Sequence, residues 1–289
     1  MPIPGSELII NTDGSVFHLH LRPEDIADTI VMMGDPDRVK LVAESFDSIE
    51  LDKQAREFHT ITGTYRGHRV TAISHGIGTD NIDIVMTELD ALANIDLETR
   101  LPKPEHRRLT LLRIGTCGAA QPDIPLGSYI LSHVSIGFDG VLNWYRDGES
   151  IFLKDFEEAF VAHMGWPARL PSPYFVRASQ KIIDRLKDWT VKGMTVSAPG
   201  FYGPQGRHVR LVPAIVDLVP KLESFTFQGY RVTNLEMESS CLAGMASLLG
   251  HDAATVCLAI ANRHVHESNP DYRPLMENLL ARALDSLLD

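Results

Sequence analysis

Apolar residues in this chain come in two rhythms: short unbroken runs, and stretches in which they recur at every third or fourth position. Thr29-Ile30-Val31-Met32-Met33 is an unbroken run stopped by Gly34-Asp35-Pro36, and over residues 37–46 apolar positions recur at Val39, Val42 and Phe46. That order predicts a strand, a tight turn and a helix. The runs 58–65 and 70–74 flank Arg66-Gly67-His68 and predict a hairpin, after which helical spacing returns over 82–93. Leu109-Thr110-Leu111-Leu112-Arg113-Ile114 predicts a buried strand ending at Gly115, and 128–134 another strand. Residues 141–175, rich in aromatics, proline and charge, predict an irregular excursion with one helix over 154–163. A strand over 191–196, a helix over 236–249 closed by Gly250, a strand over 253–261 and a helix over 274–288 complete the series. Alternating strands and helices imply an α/β fold: one domain over 1–289, its central sheet mixed or largely parallel, with helices on both faces. There is no internal repeat and no low-complexity segment.

Length and charge narrow the classes of function. A chain of 289 residues can bury a large core, and a formal net charge of -11 speaks against a nucleic-acid or membrane-surface binder, which needs broad Lys/Arg patches. Cys117, Cys241 and Cys257 have no metal-ligand spacing and read as free thiols in a reducing compartment. With no basic segment leading into a long apolar run, the expectation is a soluble cytoplasmic protein.

In α/β folds ligands gather where strands end, so the loops after the apolar runs are the places to look for chemistry. Gly34-Asp35-Pro36-Asp37-Arg38 joins a permissive glycine, helix-start N–H groups and an arginine, which suits an anion; an ordinary βα turn has the same composition. Arg113-Ile114-Gly115-Thr116-Cys117-Gly118 puts an arginine inside an apolar strand, where it needs a partner, so a structural salt bridge competes with an anion site. Arg56-Glu57-Phe58 adds an arginine at a strand start that by itself reads as a surface ion pair. Phe201-Tyr202-Gly203-Pro204-Gln205-Gly206-Arg207 supplies an aromatic face, an amide that donates and accepts, and a fixed cation, as a planar heterocycle with carbonyl and N–H edges requires; the bland alternative is a Gly-Pro turn. Asn234-Leu235-Glu236-Met237-Glu238-Ser239-Ser240 has carboxylates at i and i+2 where a helix is expected to begin, so they should diverge. They would serve either the helix dipole or a pair of sugar hydroxyls. Asn262-Arg263 marks one more strand end.

Together, in this order, these segments resemble the nucleoside phosphorylase family, and within it the uridine phosphorylases. The likeness runs from Val16-Phe17-His18 to Asn262-Arg263 and is densest at Phe201-Tyr202-x-x-Gln205-x-Arg207 and at the 234–240 segment. It implies a nucleoside phosphorylase-like fold around a central mixed β-sheet, and a pentosyltransferase that splits uridine with inorganic phosphate into uracil and ribose 1-phosphate, with deoxyuridine and thymidine as open alternatives. It implies phosphate held by Gly34, Arg38, Arg113 and Thr116, with Arg56 reaching in from a second subunit. The nucleoside would meet Cys117, Gly118, Phe201, Gln205, Arg207, Glu236, Met237, Glu238 and Arg263, with His18 of the neighbour at the 5′ end. Gln205, Arg207 and Arg113 would carry catalysis, Glu238 would take the ribose hydroxyls, and the minimum unit would be a homodimer.

Phosphate is a co-substrate, so no resident cofactor is expected; a monovalent cation beside Glu57 stays open because Thr79-Asp80-Asn81 departs from the stretch that binds one in some relatives. Cys117 departs as well, standing where relatives often carry a hydroxyl, and 141–190 matches poorly. Rival readings are a purine nucleoside phosphorylase, against which Asn262 stands where an acid would be expected, a nucleosidase, and a nucleoside-binding protein without turnover.

Overall fold

Every apolar run of the sequence becomes a strand in the computed structural model, which describes residues 1–288. The strands are β1 (Thr29–Met33), β2 (Ser48–Ala55), β3 (Phe58–Tyr65), β4 (His68–Ser74), β5 (Ile95–Asp96), β6 (Leu101–Pro102), β7 (Thr110–Ala119), β8 (Tyr129–Gly137), β9 (Tyr174–Arg177), β10 (Val191–Ser197), β11 (Thr226–Phe227), β12 (Tyr230–Glu236), β13 (Asp252–Asn262) and β14 (Glu267–Ser268). The helices are α1 (Pro36–Ala43), α2 (Thr79–Asn94), α3 (Lys154–Met164), α4 (Gln180–Leu186), α5 (Leu218–Ser224), α6 (Ser239–Leu249) and α7 (Arg273–Leu288).

The main sheet is mixed. β4, β1, β7 and β13 lie parallel side by side, as do β8, β10 and β12, while β8 meets β13 antiparallel. The expected hairpin of β3 and β4 is present, and β2 extends it. β7 pairs with β13 along its length and with β12 at Gly118 and Ala119, so β7, β13, β8, β10 and β12 curl into a closed ring. This closure places the ends of β7 and β12 side by side.

The alternation of side chains along a strand feeds two cores. Ile30 and Met32 of β1 pack with α2 and α6 on one face, and Val31 and Met33 with α1, α4 and α7 on the other. At about 1.5–3 kcal/mol for each fully buried large apolar side chain, these faces supply the drive that seats the helices.

Some boundaries differ from expectation. β7 runs on past Gly115 to Ala119 because its small residues keep their ladder to β13, at the cost of a register shift between Ala259 and Ala261. The helix expected from residue 236 starts at Ser239, since β12 holds Glu236 in register with Ser197. The excursion over 141–175 does contain the expected helix, as α3, but its Phe156 and Phe160 pack with Phe138 and Phe175 in a third core, so the segment is structural.

Candidate functional site

The ends of β1, β7 and β12, the turn after β4 and the loop after β10 open onto one cavity of about 490 Å³. Gly34, Arg38, Arg113, Thr116, Cys117, Gly118, Phe201, Gln205, Arg207, Glu236, Met237 and Glu238 all line it. With Gly76, Ile77, Ile260 and Ala261, which also line it, residues from six sequence regions meet in one place, as expected of strand ends in an α/β sheet. The turn His75-Gly76-Ile77-Gly78, which the reading of the sequence passed over, contributes Gly76 and Ile77. Its signal was present: an apolar strand followed by two glycines, which here adopt φ of 74° and 96°.

At one end, Gly34 lets the turn before α1 approach the turn after β4. A Cβ on Gly34 would lie 3.0 Å from the Gly76 carbonyl oxygen, a backbone atom that cannot swing away. Asp35 caps α1 by accepting the Asp37 N–H at 2.9 Å and stands 3.9 Å from Arg38 Nε, so Arg38 is held weakly. Its charge remains largely available to a ligand in the cavity.

Arg113 occupies the floor. Nη1 lies 2.9 Å from Glu236, Nη2 pairs with Glu238, and Nε donates to His75 Nε2 at 3.2 Å. Burial disfavours its charge, but the two carboxylates more than reverse that and hold the guanidinium above the ordinary arginine range. The same burial, with the Arg113 and Arg38 charges, pushes His75 well below the usual histidine value, so it is a neutral acceptor. The expected divergence of the two carboxylates is not what forms. Because Glu236 ends a strand and Glu238 sits at the N-cap of α6, both converge on one cation.

Glu236 also accepts from Ser197 Oγ (2.5 Å), Ser239 Oγ (2.8 Å) and the Glu238 N–H (2.9 Å). It is saturated by protein donors and acts as the cap and keystone of this corner. Glu238 accepts the Gly78 N–H at 2.7 Å through its other oxygen, tying α6 to the turn after β4. Burial raises Glu238 above the ordinary carboxylate value, with the Glu236 charge adding to the shift and Arg113 opposing it.

At the opposite end, Gln205 is buried and its Oε1 accepts from Arg207 Nη1 at 2.6 Å. Arg207 also donates to the Phe201 carbonyl at 2.6 Å and lies 3.7 Å over the Phe201 ring. Burial and the charge of Arg263 pull Arg207 down to about 10. Arg263 stands behind this loop and donates to the Gln205 carbonyl at 3.0 Å, and its stem lies where a Cβ on Gly118 would meet it at 3.2 Å. Burial pushes the Cys117 thiol well up, so it lines the cavity as a neutral group and not as a nucleophile. Asn262 turns away: its amide donates to Gln121 and Ile124 carbonyls and accepts from the His264 and Val265 N–H groups.

His18 and Arg56 do not line this cavity. They stand together elsewhere on the surface, with the Phe17 ring 4.9 Å from the His18 ring and 5.6 Å from the Arg56 guanidinium. Near Glu57, the Asn81 amide donates to the Ile77 carbonyl at 3.4 Å, and a Cβ on Gly76 would meet both the Asn81 amide and the Glu57 stem. Asp90, His106 and His251 bring three potential metal ligands within 4.8 Å. However, His251 Nδ1 accepts the Leu109 N–H, so its Nε2 carries the proton shared with Asp90 and offers no lone pair to a metal.

Residues 28–289 match the phosphorylase superfamily. A uridine phosphorylase of Thermococcus kodakarensis is 27% identical over 258 residues, covering 88% of this chain and 80% of the relative. A DeoD-type purine nucleoside phosphorylase of Tolumonas auensis is 26% identical over 274 residues, covering 94% and 98%. Among solved structures, a Trypanosoma brucei nucleoside phosphorylase described as showing uridine phosphorylase activity superposes with a TM-score of 0.88 at 28% identity, covering 97% of this chain and 99% of that one. No helix among the described residues is long and apolar enough to cross a membrane.

Proposed function

Since the chain belongs to the phosphorylase superfamily, we propose that it is a pentosyltransferase that phosphorolyses uridine to uracil and ribose 1-phosphate. The observation that carries this reading is the order of groups along one cavity: Gly34 and Arg38 at one end, Glu238 and Met237 in the middle, and the Phe201, Gln205 and Arg207 cluster at the other. That is the order of phosphate, sugar and base in a nucleoside under attack.

A phosphate oxygen forms a bond to the anomeric carbon as the C–N bond breaks, and uracil leaves with the electron pair. Phosphate is its own nucleophile, so the protein positions and balances charge. A guanidinium about 4 Å from a phosphate charge contributes on the order of 4 kcal/mol at an effective dielectric of about 20, before desolvation. Arg38 and Arg113, with Arg56 of a second subunit, would share that load. Arg113 begins committed to Glu238. Phosphate drawing on Arg113 would free Glu238 for the ribose hydroxyls, so the two substrates should bind with positive coupling. Gln205 and Arg207, already locked to each other, meet the growing negative charge of the base without reorganising.

A purine nucleoside is the second reading, favoured by the likeness to a DeoD-type relative. Asn262, which faces away, does not bear on the choice; an amide and two guanidinia at the base end fit the carbonyl edges of a pyrimidine better. The deciding assay is base release from uridine and from inosine, each with and without inorganic phosphate. Phosphate-dependent release from uridine is expected; release from inosine in its place moves the reading to the purine branch, and release without phosphate makes the enzyme a nucleosidase.

A further inference from the structure

One buried carboxylate outside the cavity is given over to a single surface turn. Glu88, in α2, is 6% exposed and accepts the backbone N–H of His18 at 2.9 Å, the backbone N–H of Leu19 at 2.8 Å and the His18 ring at Nδ1 at 2.6 Å. These donors belong to adjacent residues about 70 positions earlier in the chain. Its helix neighbours Val85, Leu89 and Leu92 are buried among apolar side chains. A carboxylate there costs several kcal/mol unless its lone pairs are met, and the donors of this turn meet them.

The consequence for His18 is chemical as well as mechanical. An ionised carboxylate only accepts, so Nδ1 carries the proton and Nε2 is the ring atom left outward on a side chain 32% exposed. The ring is steadied edge-on against Phe17, over which the Arg56 guanidinium also sits. Arg56 itself adopts a left-handed backbone, φ 55°. Two polar groups suited to a nucleoside and a phosphate thus share one face, and neither lines the chain's own cavity.

We propose that Glu88 is a positioning residue: it holds His18 in one orientation and one tautomer, so that Nε2 accepts the 5′-hydroxyl of a nucleoside bound in a second copy of the chain. This rests on the nucleoside reading above. It adds an origin for selectivity toward the 5′ end in a residue that touches no substrate.

The test compares kcat/KM for uridine and 5′-deoxyuridine in the intact protein, Glu88→Gln and His18→Ala, each with saturating phosphate. The intact protein should favour uridine by about tenfold, the scale of one hydrogen bond to a substrate hydroxyl. Both variants should lose that preference, largely through KM, while 5′-deoxyuridine turnover and the KM for phosphate move far less. In a His18→Ala background, Glu88→Gln should leave the ratio where it is. An undiminished preference in Glu88→Gln, or an equal loss on both substrates, overturns the inference while leaving the uridine reading intact. Absence of uridine phosphorolysis in the intact protein overturns the reading and this inference with it. Should Glu88→Gln fail to fold, Glu88→Asp, which withdraws the carboxylate by one methylene, must shift the ratio the same way.

Discussion

At Arg113 the count of charges decides what the residue can do. One buried guanidinium faces two buried carboxylates, so its removal leaves Glu236 and Glu238 uncompensated. Arg113→Ala should therefore cost about 3–5 kcal/mol of stability, read from the urea midpoint, in addition to its effect on phosphate use. A variant with unchanged stability would mean that the two glutamates are not held as drawn. Glu238 gives a pH signature. Its folded value is raised, so the stability linked to it is fully present below its unfolded value and is lost as pH rises through the folded one. Activity runs the other way, because only the carboxylate accepts from two hydroxyls. The KM for uridine should rise as pH falls through a window above the ordinary glutamate value, and Glu238→Gln should abolish that limb; a pH-independent KM counts against the ribose role.

At the scale of elements, the strand ends were legible and the path between them was not. The glycine after β1 and the aromatic-amide-cation loop after β10 announced themselves through residue type, since few structural duties call for those combinations. The start of α6 misled because Glu-x-Glu before an apolar run reads as a helix start, whereas pairing of β12 with β10 extends the strand through Glu236 and makes its carboxylate the cap. Gly34 is the element-level test. Gly34→Ala would press a methyl against the Gly76 carbonyl and part the turns after β1 and β4. The KM for phosphate should rise by roughly tenfold or more, with the KM for uridine changing less, and steady-state kinetics in both substrates would separate the two. Equal changes in both would place the strain elsewhere.

At the scale of the whole molecule, His18 and Arg56 stand together without lining their own cavity, and whether they serve a neighbour's is open to a direct test. If Arg56 completes a neighbour's site, then Arg56→Ala and Glu238→Gln, each much less active alone than the parent, should complement when unfolded and refolded together. A randomly mixed dimer would regain roughly a quarter of the parental activity, because half the dimers are hybrid and each hybrid has one intact site. No recovery would return Arg56 to its own subunit. The sequence by itself determined the fold class and most of the lining of the cavity, because hydrophobic periodicity dictates which segments are buried and rare residue types at strand ends have few other uses. The tertiary structure alone decided that Glu236 and Glu238 meet on Arg113, that His75 backs that arginine, that Asn262 faces away and that Glu88 holds His18. Those are pairings between residues distant along the chain, fixed by strand register and ring closure, and local pattern carries no information about which distant partner a side chain will find.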